Sequence, residues 1–330
     1  MSHLLRGMAA DGGIRVVAAD TTDLVAEAVG RHDTSATAGA ALGRTLTGAL
    51  LLSHVLLKDP RDRVTVRLRG DGPLGGVIAD AGLDGDVRGY VANANVELPP
   101  RSDGKLDVGG GVGQDGLIEV IRSHAPYGDP FGSSVELASG EVAEDVAGFL
   151  ARSEQVASAV LLGVYFENGG VDTAGGVLLQ ALPGADPAAL DVLEANVRAF
   201  GSLTDGLRRG SLLEAMQELT WGLDMQLVTR DALPLRFACR CSDEKALQAL
   251  AYFRPDEREA MIVEDGGAES VCHWCGERRW LGAEAIRSLG HGEDEVRCPE
   301  CGTLWYRDGG TVMVREGERC ACGRTIALPS

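Results

Sequence analysis

No cysteine precedes position 239 in this 330-residue chain, so the longer part of it must fold on its core alone. Uninterrupted apolar runs are lacking too. Met1 to Gly13 (MSHLLRGMAADGG) has no stretch of the length a secretory leader needs. The segment from Ala36 to Leu57 is interrupted by Arg44 and His54 and diluted by Ala, Gly and Thr, which predicts a buried core helix rather than a membrane span. Basic residues fall short of acidic ones, 31 against 49, for a net charge of −18. Residues 1–230 contribute −13 of it and residues 231–330 contribute −5. A chain this acidic repels phosphate backbones, which argues against nucleic acid as the main partner. No nucleophile elbow, Walker loop or HExxH is found, so nothing proposes an active site for turnover. The expectation is a cytoplasmic protein that is not an enzyme and engages neither membrane nor nucleic acid. In that compartment thiols stay reduced and serve metals or redox chemistry.

What is present reads as a mixed domain followed by helices and then by thiols. Ile14 to Ala18, Arg63 to Leu68, Val77 to Ala79, Val87 to Val91 and Leu117 to Ile121 are strand-like, separated by Gly- and Asp-rich turns. His32 to Ser35 offers N-caps for the helix from Ala36, and Glu141 to Ser153 reads as another helix with Val142, Val146 and Phe149 on one side. Val160 to Phe166 and Gly175 to Leu182 are apolar strands. After Pro183-Gly184 the pattern changes: Leu190, Leu193, Val197 and Phe200, then Leu212, Met216 and Leu219, recur at helical spacing. Those stripes need a surface to bury them, and the preceding domain supplies one. The expected architecture is a layered α/β (α+β) core over residues 1–182 and an amphipathic helical linker over 183–232. The remainder, which holds every cysteine, divides into a small domain over 233–289 and a tail over 290–330.

The eight cysteines form four close pairs: Cys239-x-Cys241, Cys272-x2-Cys275, Cys298-x2-Cys301 and Cys320-x-Cys322. Two such pairs supply the tetrahedron of thiolates that zinc prefers, at about 2.3 Å. Cys298 to Cys322 is self-contained, with a hairpin turning at Asp308-Gly309-Gly310 to bring its two pairs together, as in a zinc ribbon. That leaves Cys239, Cys241, Cys272 and Cys275 as one site, bridged by a helix from Asp243 to Tyr252. A rival pairing joins Cys272/Cys275 to Cys298/Cys301. One zinc ion or two are therefore expected. The C-x-C spacing adds chemistry, because a disulfide wants Cα atoms about 4.4–6.8 Å apart and two residues apart in extended chain lies near the upper end. A Cys239–Cys241 disulfide would be strained and hence reversible. Oxidation and metal binding compete for the same thiolates, and losing the metal from a small zinc domain removes about 10–16 kcal/mol of apparent binding energy. Such a domain should unfold.

Two patterns are decoys. Gly111-x-Gly113-x-x-Gly116 is followed by a strand rather than a helix, which predicts a loop. His291-x-Glu293 stands too close to Cys298 for a zinc deaminase signature, and His273 reads as a surface residue beside four sufficient thiolates.

At the level of extended motifs the chain resembles the heat shock protein 33 family of redox-regulated holdase chaperones. RLRGDGPLGGV (Arg67–Val77), LASGEVAEDVAGFLARSEQ (Leu137–Gln155), AGGVLLQALPGA (Ala174–Ala185), FACRCS (Phe237–Ser242) and EDGGAESVCHWCGERRW (Glu264–Trp280) carry the resemblance, in order, to about Leu289. It implies an α/β substrate-binding core over 1–182 covered by a helical linker. Cys239, Cys241, Cys272 and Cys275 would hold zinc in the reduced, inactive form. Oxidants would form the Cys239–Cys241 and Cys272–Cys275 disulfides, unfold the zinc domain and linker, and expose apolar surface that binds unfolding client proteins without ATP, as a homodimer. The tail with Cys298, Cys301, Cys320 and Cys322 departs from that pattern and reads as a second zinc ribbon or a second redox sensor. The competing readings are a constitutive zinc-ribbon binding module for protein or nucleic acid, and a thiol–disulfide oxidoreductase. The tail from 276 carries nine acidic and eight basic residues, little purchase for nucleic acid, and no βαβ setting surrounds Cys272 or Cys298.

Overall fold

A computed structural model describes residues 1–124, 130–229 and 231–289, together with the backbone of two short strands at 295–297 and 304–306. The chain divides into two compact units. One comprises Met1–Cys239 with His273–Gly276; the other comprises Arg240–Cys272 with Glu277–Ser330.

The first unit runs β1 (His3–Ala9), β2 (Ile14–Asp20), α1 (Thr22–His32), α2 (Ala36–Leu56), β3 (Arg63–Arg69), β4 (Val77–Gly82), β5 (Asp86–Val91), α3 (Val108–Val112), β6 (Leu117–Ser123), β7 (Phe131–Glu136), α4 (Val142–Arg152), β8 (Ser158–Glu167), β9 (Gly170–Ala181), α5 (Pro187–Phe200), α6 (Leu203–Arg209) and α7 (Leu212–Leu219). Three two-residue strands follow: β10 (Gln226–Leu227), β11 (Leu233–Pro234) and β12 (Arg236–Phe237). They form two sheets. One has the order β10-β1-β2-β9-β8, with β11 pairing the other end of β1; the second has the order β12-β5-β4-β3-β6-β7. Neighbours within the second sheet are antiparallel except β12, which runs parallel to β5.

Helix α2 lies between the sheets, in contact with β3, β4 and β5 of one and β2, β8 and β9 of the other. Its sequence explains the position. ATAGAALGRTLTGALLLSHVL is apolar or small on every side, and such a helix is stable only when surrounded. The hydroxyl of Ser35 caps it, accepting from the amide of Ala38. Facing strands supply alternate residues: Val64, Val66 and Leu68 of β3 and Val77, Ala79 and Ala81 of β4 are fully buried.

The first sheet is apolar on its outer face as well. Ile14, Val16 and Ala18 of β2 with Val177 and Leu179 of β9 pack against Leu193 and Phe200 of α5, Leu203 of α6, and Leu212, Ala215, Met216 and Leu219 of α7. The helical stripes read from the sequence therefore bury on this sheet. The helices depend on that burial, since isolated helices below about 12–15 residues are marginal in water. Asp186 and Pro187 start α5, and a reciprocal Ser211–Glu214 capping box starts α7. The Asn196 side-chain amide ties the two by donating to the carbonyls of Leu219 and Trp221, at 3.2 and 2.9 Å.

The second unit contains α8 (Asp243–Leu250), α9 (Pro255–Asp265), β13 (Gly267–Val271), β14 (Arg278–Gly282) and α10 (Ala283–Arg287), with β15 (Glu295–Arg297) and β16 (Leu304–Tyr306) pairing antiparallel. Among the described residues its core is small: Leu250, Ile262, Leu281 and Ile286, with a rim of partly buried apolar residues. Helix α8 is the helix expected from Asp243; α9 and the β13–β14 hairpin were not anticipated. Gly111-x-Gly113-x-x-Gly116 leads into a strand, as expected, but Gly111 belongs to the short helix α3 rather than to a loop. The Asp308-Gly309-Gly310 turn and the strand expected after it lie outside the described residues.

Burial keeps the His54 imidazole, in the last turn of α2, neutral, its pKa pushed down to about 4 with Arg6 adding to the depression. The unfolded chain takes up that proton near pH 6.5, so this group's contribution to stability is present above 6.5 and is lost as pH falls toward 4. The loss is about 2 kcal/mol at pH 5. His54→Leu should therefore flatten the pH dependence of unfolding between pH 5 and 7.5 relative to wild type, which urea titrations at the two pH values measure.

Candidate metal centre

The thiols of Cys239, Cys241, Cys272 and Cys275 are delivered by four local structures. Cys239 follows β12, whose chain is held to the second sheet by the bond from the Ala238 amide to the Val87 carbonyl. Cys241 stands one residue before Ser242, whose hydroxyl caps α8 by accepting from the amide of Lys245. Cys272 follows β13, and its amide donates to the carbonyl of Glu277 at 2.9 Å, closing a tight knuckle. Cys275 precedes Gly276, which adopts φ +70°; a Cβ there would meet the Arg31 carbonyl oxygen at 2.5 Å, so the C-x-x-C-G ending is sterically required.

The four sulfur atoms lie within 4.8 Å of one another. Cys275 is buried and the other three are half-buried, and all are thiols rather than disulfides. Thiolates arranged tetrahedrally about zinc at about 2.3 Å stand about 3.8 Å apart, so the donor set and its spacing are compatible with a metal site. His273 is exposed and outside the cluster; its ring lies 6.1 Å from that of Tyr90. His291, Glu293, Cys298, Cys301, Cys320 and Cys322 lie outside the described residues.

Charged neighbours that no spacing rule flagged surround the knuckles. The Arg279 guanidinium lies 3.5 Å from the Cys241 sulfur and 2.5 Å from a carboxylate oxygen of Asp243, and both partners raise its pKa. In the first unit the Trp274 ring is held between two side chains of β5. The Arg88 guanidinium sits 4.4 Å over it and the Tyr90 ring meets it edge-on at 5.7 Å. Asp80, which accepts from Arg88 and from the buried Arg63, fixes the cation in place. Arg88 and Tyr90 carried no sequence signal beyond the alternation of a strand.

A two-sheet α/β unit with a helix-covered outer face, joined in one chain to a cluster of four converging thiols, defines a protein with a thiol centre able to hold a metal. Comparison with known proteins narrows this. The profile of the Hsp33 protein family matches residues 2–282. A 33 kDa chaperonin of Thermus thermophilus is 53% identical, over 100% of this chain and 98% of that one. The 33 kDa chaperonin of Deinococcus radiodurans is 52% identical, over 88% of this chain and 98% of the other. The crystal structure of the Thermotoga maritima 33 kDa chaperonin (heat shock protein 33 homolog) superposes with a TM-score of 0.81 at 33% identity, covering 87% and 97%. The chain belongs to the Hsp33 family, a family of chaperones and not of enzymes. The Thermus alignment runs through the C-terminal segment that the family profile leaves out, so that segment is shared with at least that relative.

The knuckle's seat on β5 should be measurable. With Trp221, Trp280 and Trp305 replaced by Phe, emission from Trp274 reports whether residues 273–276 are docked. Arg88→Ala removes the cation over the ring and should weaken docking by about 1 kcal/mol. Gly276→Ala, opposed both by φ and by the Arg31 carbonyl, should weaken it more, by about 2 kcal/mol. Denaturant titrations followed at Trp274 test that order.

Proposed function

We propose that this protein is a redox-regulated, ATP-independent holdase of the cytoplasm, inactive when reduced and zinc-bound and activated by oxidation of Cys239, Cys241, Cys272 and Cys275. The observation that carries the reading is the convergence of those four sulfurs within 4.8 Å in a chain whose first sheet hides an apolar face beneath short helices. Bound zinc would supply a cross-link between the two knuckles and keep the thiolates deprotonated. Cys239, Cys241, Cys272 and Cys275 would be its ligands. Among the described residues the second unit has four buried apolar residues at its centre, a small core to which such a staple would add.

On meeting a two-electron oxidant such as a peroxide or hypochlorous acid, the Cys239 and Cys241 thiolates join in a disulfide, giving up two electrons, while solvent supplies the protons that the reduced oxidant takes up. The oxidant is reduced to water, or to chloride and water. Cys272 and Cys275 do the same with a second equivalent. Each disulfide withdraws two ligands, and the second unit loses its staple. Among the described residues, the strands between α7 and Cys239, namely β10, β11 and β12, are two residues each, so the sheet pairing that holds this segment is short. Helices α5, α6 and α7 are too short to persist once off the sheet. In this reading residues 1–182 form the client-binding core, 183–232 the removable cover and 233–289 the redox domain. Clients would be unfolding proteins, bound on the uncovered face by a homodimer. Cys298, Cys301, Cys320 and Cys322 would form a second, structural zinc site.

The reduced protein should retain zinc against dialysis. Peroxide or hypochlorous acid should release it and switch on suppression of aggregation of a thermally unfolding client; metal retained under oxidant, or no gain in activity, would sink the reading. Cys239→Ser should abolish the oxidant response, because it removes one ligand and one disulfide partner together. Cys320→Ser with Cys322→Ser should leave the activation profile unchanged, and a shifted oxidant threshold would give those thiols a sensing role instead.

A further inference from the structure

The middle helix of the cover has a seat of its own. Gly163 of β8 and Gly175 of β9 are cross-strand partners. A Cβ on Gly163 would stand 2.6 Å from the Thr204 methyl, and one on Gly175 would stand 2.6 Å from a Leu207 methyl and 2.7 Å from the Ala19 carbonyl oxygen. The paired glycines thus leave a notch in the outer face of the sheet, filled by Thr204 and Leu207 of α6. At the rim of the notch the Arg208 guanidinium lies 4.3 Å over the Tyr165 ring. It also pairs with Asp172 at 3.1 Å and with Glu167 at 3.4 Å. Among the described residues, the ion pairs found between helices α5–α7 and the sheet both run through Arg208.

From this geometry we infer that the notch, with Tyr165, Glu167 and Asp172, is a client-binding subsite for an aliphatic side chain followed by a basic one, and that Leu207-Arg208 occupies it as an internal pseudosubstrate. The inference rests on the holdase reading and names the client chemistry at one place on the uncovered face. Shape selects the aliphatic residue, because the space left by the missing side chains at Gly163 and Gly175 is filled by the methyls of Thr204 and Leu207. Charge selects its neighbour. Two carboxylates and an aromatic face attract an arginine or lysine and repel an acidic residue. The net charge of −18 acts in the same direction at longer range, favouring approach by cationic segments.

The test uses full-length protein and a labelled peptide of residues 200–213, read by fluorescence anisotropy. Oxidised wild-type protein should bind this peptide at least five-fold more tightly than a version carrying Arg208→Glu and Arg209→Glu. Added salt should shrink the difference. Reduced protein, with the notch filled by its own α6, should bind neither. In oxidised protein carrying Glu167→Gln and Asp172→Asn the preference should fall below two-fold. Equal affinity for the two peptides, no binding of either, or a preference untouched by the double substitution would overturn the subsite. The wild-type comparison needs no variant to fold. If oxidised wild type suppresses client aggregation yet does not discriminate the peptides, only the subsite falls; if it suppresses nothing, the holdase reading falls and takes the subsite with it.

Discussion

Burial of α2 between two sheets is the constraint from which the rest of the first unit follows. A 21-residue helix with apolar or small residues on every side consumes the inner face of each sheet, and only the outer faces remain to be solved. The second sheet solves its outer face with charge: Arg63, Asp80 and Arg88 form a hydrogen-bonded network, and Trp274 rests on it. The first sheet has no such network, because Ile14, Val16, Ala18, Val177 and Leu179 leave it apolar on both sides. It must be covered. The cover consists of helices too short to stand alone, so their order and the sheet's concealment are one equilibrium rather than two.

The parts of this arrangement that were legible in the sequence are those encoded within a single segment. The all-round apolar character of Ala36 to Leu56 identified α2 and its fate, and the stripes through Leu193, Phe200, Leu212, Met216 and Leu219 identified the cover. Thiol spacing offered Cys239, Cys241, Cys272 and Cys275 as one set beside the rival that joins Cys272/Cys275 to Cys298/Cys301, and among the described residues the first four sulfurs converge. What escaped notice is encoded between segments. Helix α6 has only seven residues, and its position is fixed by two missing side chains on other strands. Strands β10, β11 and β12 are two residues each, too short to leave a periodic signal, and exist because β1 and β5 offer free edges. Arg279 and Arg88 look like ordinary surface cations until the fold brings Cys241 and Trp274 beside them.

The thiol cluster and the cover also differ in kind. With a metal bound as proposed, the cluster would depend on coordinate chemistry, where a change of ligand state is worth many kcal/mol and is effectively all or none. The cover depends on dispersed apolar contacts, each worth about 1–3 kcal/mol and separately adjustable by substitution. On the proposed reading, a chain that joins the two could keep the chemistry of its trigger fixed while the surface it releases is tuned residue by residue. Gly276 and Gly175 are the least adjustable points, since a Cβ at either would stand within 2.7 Å of a backbone carbonyl oxygen.

The brevity of β10 has a kinetic side. Leu227 pairs with Gly7, at the opposite end of the chain, so on first folding this strand must wait for nearly the whole first unit to assemble. After release from an intact sheet the search is different. The chain is still anchored at Ala181, where β9 ends, and only the segment from 182 to 225 has to close. Closure of loops of that order takes microseconds or less. On the proposed holdase reading, return to the covered state would therefore not wait on chain diffusion; its pace would be set by how quickly thiols are regenerated and by whatever occupies the sheet in the meantime.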